Sequence, residues 1–166
     1  MAPSFRSALA LVFAVLAVFA VLALCGGPAA GAGDEAAAPP GSVTIAADAR
    51  GLFQVLAQLN GVPLRAVIDT GSSAIYLGRA HAAALGIDTA RGRRAEMSTF
   101  RGPRTIWVVK LDRVQVGTLT ARDVDAWIVE EGDEGPPQPL LGMSFLRLFD
   151  VRVGGGAMTL SERVKR

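Results

Sequence analysis

From Phe53 to Ile68 the chain alternates inward and outward residues at a period of two, breaks once at Asn60-Gly61, and then alternates again. Phe53, Val55, Ala57 and Leu59 share one face of the first run; Val62, Leu64, Ala66 and Ile68 share one face of the second. That period belongs to a strand with one buried face. Asn-Gly between two such runs is the strongest short hairpin signal, because both central residues of a type I′ turn need positive φ. The stretch therefore folds as an antiparallel pair, and its return strand runs straight into Asp69-Thr70-Gly71-Ser72.

Further strands are expected at Ser42–Ala47, Ala95–Phe100, Ile106–Leu111, Val114–Val116 and Val124–Val129. Arg79–Leu85 predicts a short helix, stopped by Gly86 where helices favour a left-handed residue. Met143–Phe149 predicts a second. Val151-Arg152-Val153, a Gly154-Gly155-Gly156 turn and Met158-Thr159-Leu160 predict a closing hairpin. Residues 42–166 thus read as one all-β domain carrying one or two short helices.

The chain ahead of that domain is different in kind. After a short N-terminus, residues 1–7, Ala8–Cys25 is an unbroken apolar run, and residues 26–41 are a Gly-, Ala- and Pro-rich spacer. The run reaches the length of a bilayer-spanning helix, about 17–25 residues. Arg6 ahead of it and Asp34 and Glu35 behind it orient the N-terminus to the cytoplasm. A retained anchor is the first reading. A cleaved signal with Ala30-Gly31-Ala32 as its processing site is the second, and a lipid anchor on Cys25 is the third.

Cys25 is the only cysteine, so the domain after the spacer holds no disulfide. The net charge of +2 is small and the basic residues are scattered, which gives no nucleic-acid footprint. His81, the only histidine, has no partners with which to build a serine or cysteine triad. No cluster of His, Cys and carboxylates stands at metal-ligand spacing, so neither metal nor cofactor is expected. Glu130–Gln138 reads as a solvated loop, and Trp107 and Trp127 read as core residues.

Asp69-Thr70-Gly71-Ser72 closes an apolar strand and precedes Ala74-Ile75-Tyr76-Leu77; well downstream, Leu140-Leu141-Gly142 stands ahead of a predicted helix. In this combination the chain resembles the aspartic proteases, specifically the single-lobe, retropepsin-like branch. Leu140-Leu141-Gly142-Met143-Ser144-Phe145-Leu146 and the Leu-Asp-x-Val-x-Val-Gly stretch at Leu111–Gly117 are similar to membrane-anchored bacterial members. By itself Asp69-Thr70-Gly71 is also an ordinary strand-ending turn; the second signature favours the family.

The resemblance implies a retropepsin-like barrel with a flap hairpin. It implies Asp69 as catalytic carboxylate, supported by Thr70 across a two-fold axis, Gly71 at the close approach and the Ser72 hydroxyl on the carboxylate. Leu140, Leu141 and Gly142 are expected to pack against that loop. Two carboxylates must share one proton to activate water, and one lobe supplies one, so the expected partner is a second copy of the chain. Thr99, Phe100, Arg101 and Gly102 occupy the flap. Phe100 and Arg101 depart from the family's pattern, and Pro103 stiffens the strand beyond the tip. Arg101 and Arg104 read first as solvated charges, and alternatively as readers of an acidic or C-terminal group.

The implied activity is hydrolysis of a peptide or protein substrate at the outer face of a bacterial inner membrane. The rival is a retropepsin-shaped module that dimerises or binds peptides without cleaving them; such a module has no need to keep Asp69-Thr70-Gly71 intact.

Overall fold

The computed structural model describes residues 41–99, 102–129 and 135–163. The expected spanning segment Ala8–Cys25, the spacer up to residue 40, Phe100, Arg101 and residues 130–134 lie outside the described residues. Among the described residues no helix is long and apolar enough to cross a membrane.

In chain order the strands are β1 (Ser42–Ala46), β2 (Gln54–Leu59), β3 (Val62–Ile68), β4 (Ile75–Leu77), β5 (Arg93–Thr99), β6 (Gly102–Val116), β7 (Leu119–Val129), β8 (Leu140–Leu141), β9 (Phe149–Gly154) and β10 (Ala157–Glu162). Helix α1 (Arg79–Ala84) follows β4, and α2 (Met143–Leu146) follows β8. A 3-10 turn covers Thr89–Arg91.

The hairpin read from the alternation is present. Leu59 stands opposite Val62, and Asn60 at φ 47 and Gly61 at φ 85 supply the two positive angles of the turn. Ala57, Leu59, Ala66 and Ile68 are buried, while Leu56 between them is 61% exposed. The order β2-β3-β8-β4-β7-β6 closes on itself because β2 also pairs with β6. Closure removes the free edges of these strands. β1, β10 and β9 form a separate three-stranded sheet.

Two sequence expectations change. Ile106–Leu111 and Val114–Val116 are one continuous 15-residue strand, β6. Asp112 and Arg113 do not interrupt it. They are exposed, and the Arg113 backbone is stitched to the Asn60 turn, donating to Asn60 Oδ1 at 3.2 Å and accepting from Asn60 N at 2.8 Å. The two halves of β6 also serve different neighbours, β5 at Gly102–Val108 and β2 at Val114–Val116. The second change is at Met143–Phe149, where the helix ends at Leu146 and Phe149 opens β9. The β10 ladder takes Phe149 as the partner of Glu162, and the Phe149 ring meets Phe145 with centroids 5.0 Å apart.

The core is the barrel interior, where Leu59, Ile75, Leu77, Leu111, Ile128, Leu141 and Phe145 are fully buried. Truncating a fully buried leucine costs its transfer energy and leaves a cavity, so Leu111→Ala should destabilise by about 2–5 kcal/mol. Leu56→Ala, on the solvent face of β2, should fall within about 0.5 kcal/mol of wild type. Urea unfolding of the two variants checks the inward and outward assignment; equal losses would show that it is wrong.

Candidate active site

Asp69 sits immediately after β3, half-buried, at the start of a loop that returns into β4. Its backbone position is set from the far end of the chain. β8 lies parallel to β3, pairing Val67 with Leu140 and Ile68 with Leu141, and it also meets β4 at Tyr76. Val67 N donates to Pro139 O at 2.9 Å, and Asp69 N donates to Leu141 O at 3.0 Å. Leu141 is fully buried beneath this contact.

The loop itself is tight. Gly71 N donates to Asp69 Oδ1 at 2.9 Å, and Ser72 N to Asp69 O at 3.2 Å. The carboxylate is therefore oriented by its own loop and faces a half-open environment. Thr70 and Gly71 are exposed. Ser72 differs from expectation: its hydroxyl donates to Ala74 O at 2.8 Å and not to the Asp69 carboxylate. A hydroxyl has one proton to donate, and the Ala74 carbonyl takes it.

Gly142 is where the two segments press together. Met143 N donates to Ser72 O at 2.8 Å, and a Cβ on Gly142 would collide with the carbonyl oxygens of Ala74 and Ser72. Those atoms are backbone and have nowhere to go. Leu141, through its carbonyl, and Gly142, through its backbone, thus contact the Asp69 loop, while Leu140 pairs with Val67 and Tyr76 in the flanking strands.

A family model described as "gag-polyprotein putative aspartyl protease" matches residues 55–148, more than half of the chain. The chain belongs to this family. Its fold is similar to that of a retropepsin-like aspartic protease from Rickettsia conorii, with a TM-score of 0.63 and 26% identity, over 74% of this chain and 91% of that one. EIAV protease, solved with the inhibitor HBY-793, superposes with a TM-score of 0.46 at 18% identity, over 58% of this chain and 86% of that one. Among curated proteins, one from a Sinorhizobium species, described as an uncharacterized protein in the cobV 5′ region, is 29% identical over 125 residues. That match takes in 68% of this chain and spans 53% of the relative's own length.

The β5–β6 hairpin is the segment in which the flap was expected. Thr99 stands opposite Gly102, and Thr99 Oγ1 donates to Gly102 O at 2.7 Å across the hairpin end. Gly102 has φ 94, a left-handed value that suits glycine. Arg104 is half-buried within the strand, opposite Met97. Trp107 and Trp127 are both half-buried, and Trp107 packs against the buried core. Trp107, with Ala82, Ala83, Ile87, Thr89 and Ile128, lines a small open cavity of about 180 Å³ beside α1.

His81 stands at the third position of α1 and accepts a hydrogen bond from Gly78 N on Nδ1, at 3.1 Å. This is half of a capping box, with imidazole in the place of a glutamate. Burial lowers its pKa below the ordinary 6.5, partly offset by a hydrogen bond to the Pro137 backbone. The neutral form is the one whose Nδ1 can accept. Among the described residues, no group of three or more His, Cys, Asp and Glu is placed to hold a metal ion.

Sequence reasoning missed Ser144. Its buried hydroxyl accepts from Ile75 N at 3.1 Å and donates to Asp125 O at 2.7 Å, joining α2 to β4 and β7. The signal was a lone hydroxyl inside the apolar run Leu140–Leu146; a polar atom there must find partners when buried. Ser144→Ala removes almost no volume but orphans the Ile75 N–H, so about 1–3 kcal/mol of stability should be lost. Denaturant titration measures this, and an unchanged midpoint would show that the bridge contributes nothing.

Proposed function

We propose that this protein is an aspartic endopeptidase in which a water molecule is activated between the Asp69 carboxylates of two identical chains. The observation that carries the reading is the seating of Asp69. Its backbone is pinned by Leu141 O, and its Oδ1 is held by Gly71 N in an otherwise accessible loop. Family membership supports the reaction class, and the seating of Asp69 supports the choice of residue.

Two carboxylates held close together cannot both ionise, so the pair shares one proton. The ionised member takes a proton from water as its oxygen attacks the peptide carbonyl carbon. The protonated member gives its proton to the carbonyl oxygen, producing a tetrahedral diol. Collapse breaks the C–N bond: one diol hydroxyl gives its proton to the ionised carboxylate while the protonated carboxyl passes its proton to the leaving nitrogen. Balance requires two acids. This domain carries one Asp-Thr-Gly, and in the proposed scheme the second acid is the Asp69 of a partner chain related by two-fold symmetry. The β5–β6 hairpin is suited to hold an extended substrate by strand addition.

Asp69→Asn keeps size and hydrogen bonding while removing the ionisable group. Peptide hydrolysis by the full chain should fall at least about a hundredfold, with the unfolding midpoint unchanged. Mixing one part wild type with three parts Asp69→Asn should cut activity per wild-type chain about fourfold, because most wild-type chains then sit in mixed dimers. Wild-type turnover by the variant, or immunity of wild type to it, would remove Asp69 or the dimer from the mechanism.

The same proposal places the domain outside the cytoplasm, held by Ala8–Cys25 as an anchor in a bacterial inner membrane. Its support is the charge bias of Arg6 against Asp34 and Glu35. A reporter that works only in the periplasm, fused after Arg166, should be active. Signal from a cytoplasm-only reporter at that junction would reverse the orientation.

A further inference from the structure

Helix α1 starts without the usual aids. Its N-cap is Gly78, which has no side chain to offer, and its first turn contains no acid. The ring of His81 compensates by reaching back one turn, so that Nδ1 accepts from Gly78 N at 3.1 Å. The same ring has a second partner, the Pro137 backbone. Proline has no N–H, so the Pro137 carbonyl is the acceptor and a ring N–H is the donor. Nδ1 is already an acceptor, which leaves the proton on Nε2. One neutral imidazole therefore ties the start of α1 to a segment far downstream in the chain.

That segment is short, stiff and joined to the candidate active site. Gly135 comes so close to the same turn that a Cβ on it would stand 2.7 Å from Gly78 Cα, backbone against backbone. Pro136, Pro137 and Pro139 have their φ angles fixed by their rings, and Gln138 is restricted by the proline after it. At the end of the segment Val67 N donates to Pro139 O at 2.9 Å, Val67 and Ile68 pair with Leu140 and Leu141, and Asp69 N donates to Leu141 O at 3.0 Å. A displacement at Pro137 meets little slack before it reaches the Asp69 backbone.

We infer that His81 is a positioning residue for Asp69: its neutral ring holds the Gly135–Pro139 segment against α1 and so sets where β8 seats the carboxylate. This rests on the proposed role of Asp69, and it names a control on that same site. The tie is one that a proton can undo. Protonation at Nδ1 turns the acceptor into a donor facing the Gly78 N–H, so that bond is lost while Nε2 keeps Pro137. Burial disfavours the charged ring and lowers its pKa below the ordinary 6.5, with the Pro137 bond partly opposing this. Because the folded value is the lower one, the contribution to stability is full above pH 6.5 and is lost as pH falls through the folded pKa.

Among the described residues, the elements bordering α1 bring few other titratable groups to the ring. The helix itself carries Arg79, and β4 carries Tyr76. The turn after α1 carries Arg91 and Asp88, whose carboxylate accepts from Ala90 N at 3.0 Å. Trp127–Val129 of β7 and Gly135–Pro139 carry none. Ahead of Gly135 the sequence places Glu130, Glu131, Asp133 and Glu134. These acids and Asp69 itself titrate in wild type and in a His81 variant alike, so comparing the two isolates the imidazole.

The test uses the full chain in detergent micelles. His81 is the only histidine, so the imidazole resonances report one group. NMR titration should show the Nε2–H tautomer near neutral pH and a midpoint below 6.5. In an Asp69→Asn background, which removes the titration of that carboxylate, the amides of Gly78 and of residue 69 should shift with the same midpoint. His81→Gln puts a non-titrating side chain at the third helical position, where glutamine completes a capping box. Its kcat should lie within about twofold of wild type at about pH 7.5, with KM equally close. Across the interval in which the ring titrates, wild-type kcat should fall at least about threefold relative to this variant. His81→Ala, which keeps neither bond, should lower kcat about tenfold at about pH 7.5. Superimposable acid limbs for wild type and His81→Gln, an Nδ1–H tautomer, or a residue-69 amide that ignores the His81 midpoint would overturn the proposal. Coupled amide titrations in a protein whose wild type cleaves no peptide would remove the enzymatic reading and keep the coupling. Hydrolysis that depends on Asp69 but has no His81-dependent limb would do the opposite.

Discussion

The structure depends on one contact between distant parts of the chain: the backbone of Gly142 lying flat against the carbonyls of Ser72 and Ala74. No side chain fits there, and the closeness lets Met143 N reach Ser72 O and Asp69 N reach Leu141 O. Without it, β8 could not sit between β3 and β4, and the sheet could not close through β7 and β6 to β2. Fold closure and placement of Asp69 therefore share a cause. A loop anchored only at its own ends would leave the carboxylate to wander, whereas this one is clamped from beneath by a strand of two residues.

Much of the fold was legible because it rests on local periodicity. Phe53–Ile68 paired as its alternation demanded, Gly86 ended α1 with φ 63, and the glycine pair at 155 and 156 made the last turn. The elements that sequence could not supply are those whose partners are remote. β8 is two residues long and carries no period; it exists because Val67 and Ile68 offer an edge. β6 continues through Asp112 and Arg113 because Asn60 holds the backbone there. Met143–Phe149 has helical propensity throughout, yet β10 claims Phe149 for its ladder.

The site was legible to a different degree. Asp69, Thr70 and Gly71, together with Leu140, Leu141 and Gly142, announce themselves as two short patterns at the right separation, and the structure brings them into contact. The hydroxyls were less readable. Ser72 and Ser144 each have several acceptors within reach in principle, and only the folded geometry decides that Ala74 O and Asp125 O receive them. Residue type announces that a hydrogen bond must exist; three-dimensional arrangement decides with whom.

The length of β6 has a mechanical consequence. One uninterrupted strand runs from the end of the β5 hairpin to the seam with β2, so the hairpin is a cantilever whose root is built into the barrel wall. The ladder with β7 is unbroken on either side of a single point, where Asp123 adopts φ 55 between the Leu111–Val124 and Arg113–Arg122 pairs. Bending stiffness is lowest where cross-links are missing, and that places the compliant point near the root and far from the tip. A beam loaded in this way swings as a whole instead of curling at its end, and it carries any strain at its root directly into the β2–β3 pair that ends at Asp69.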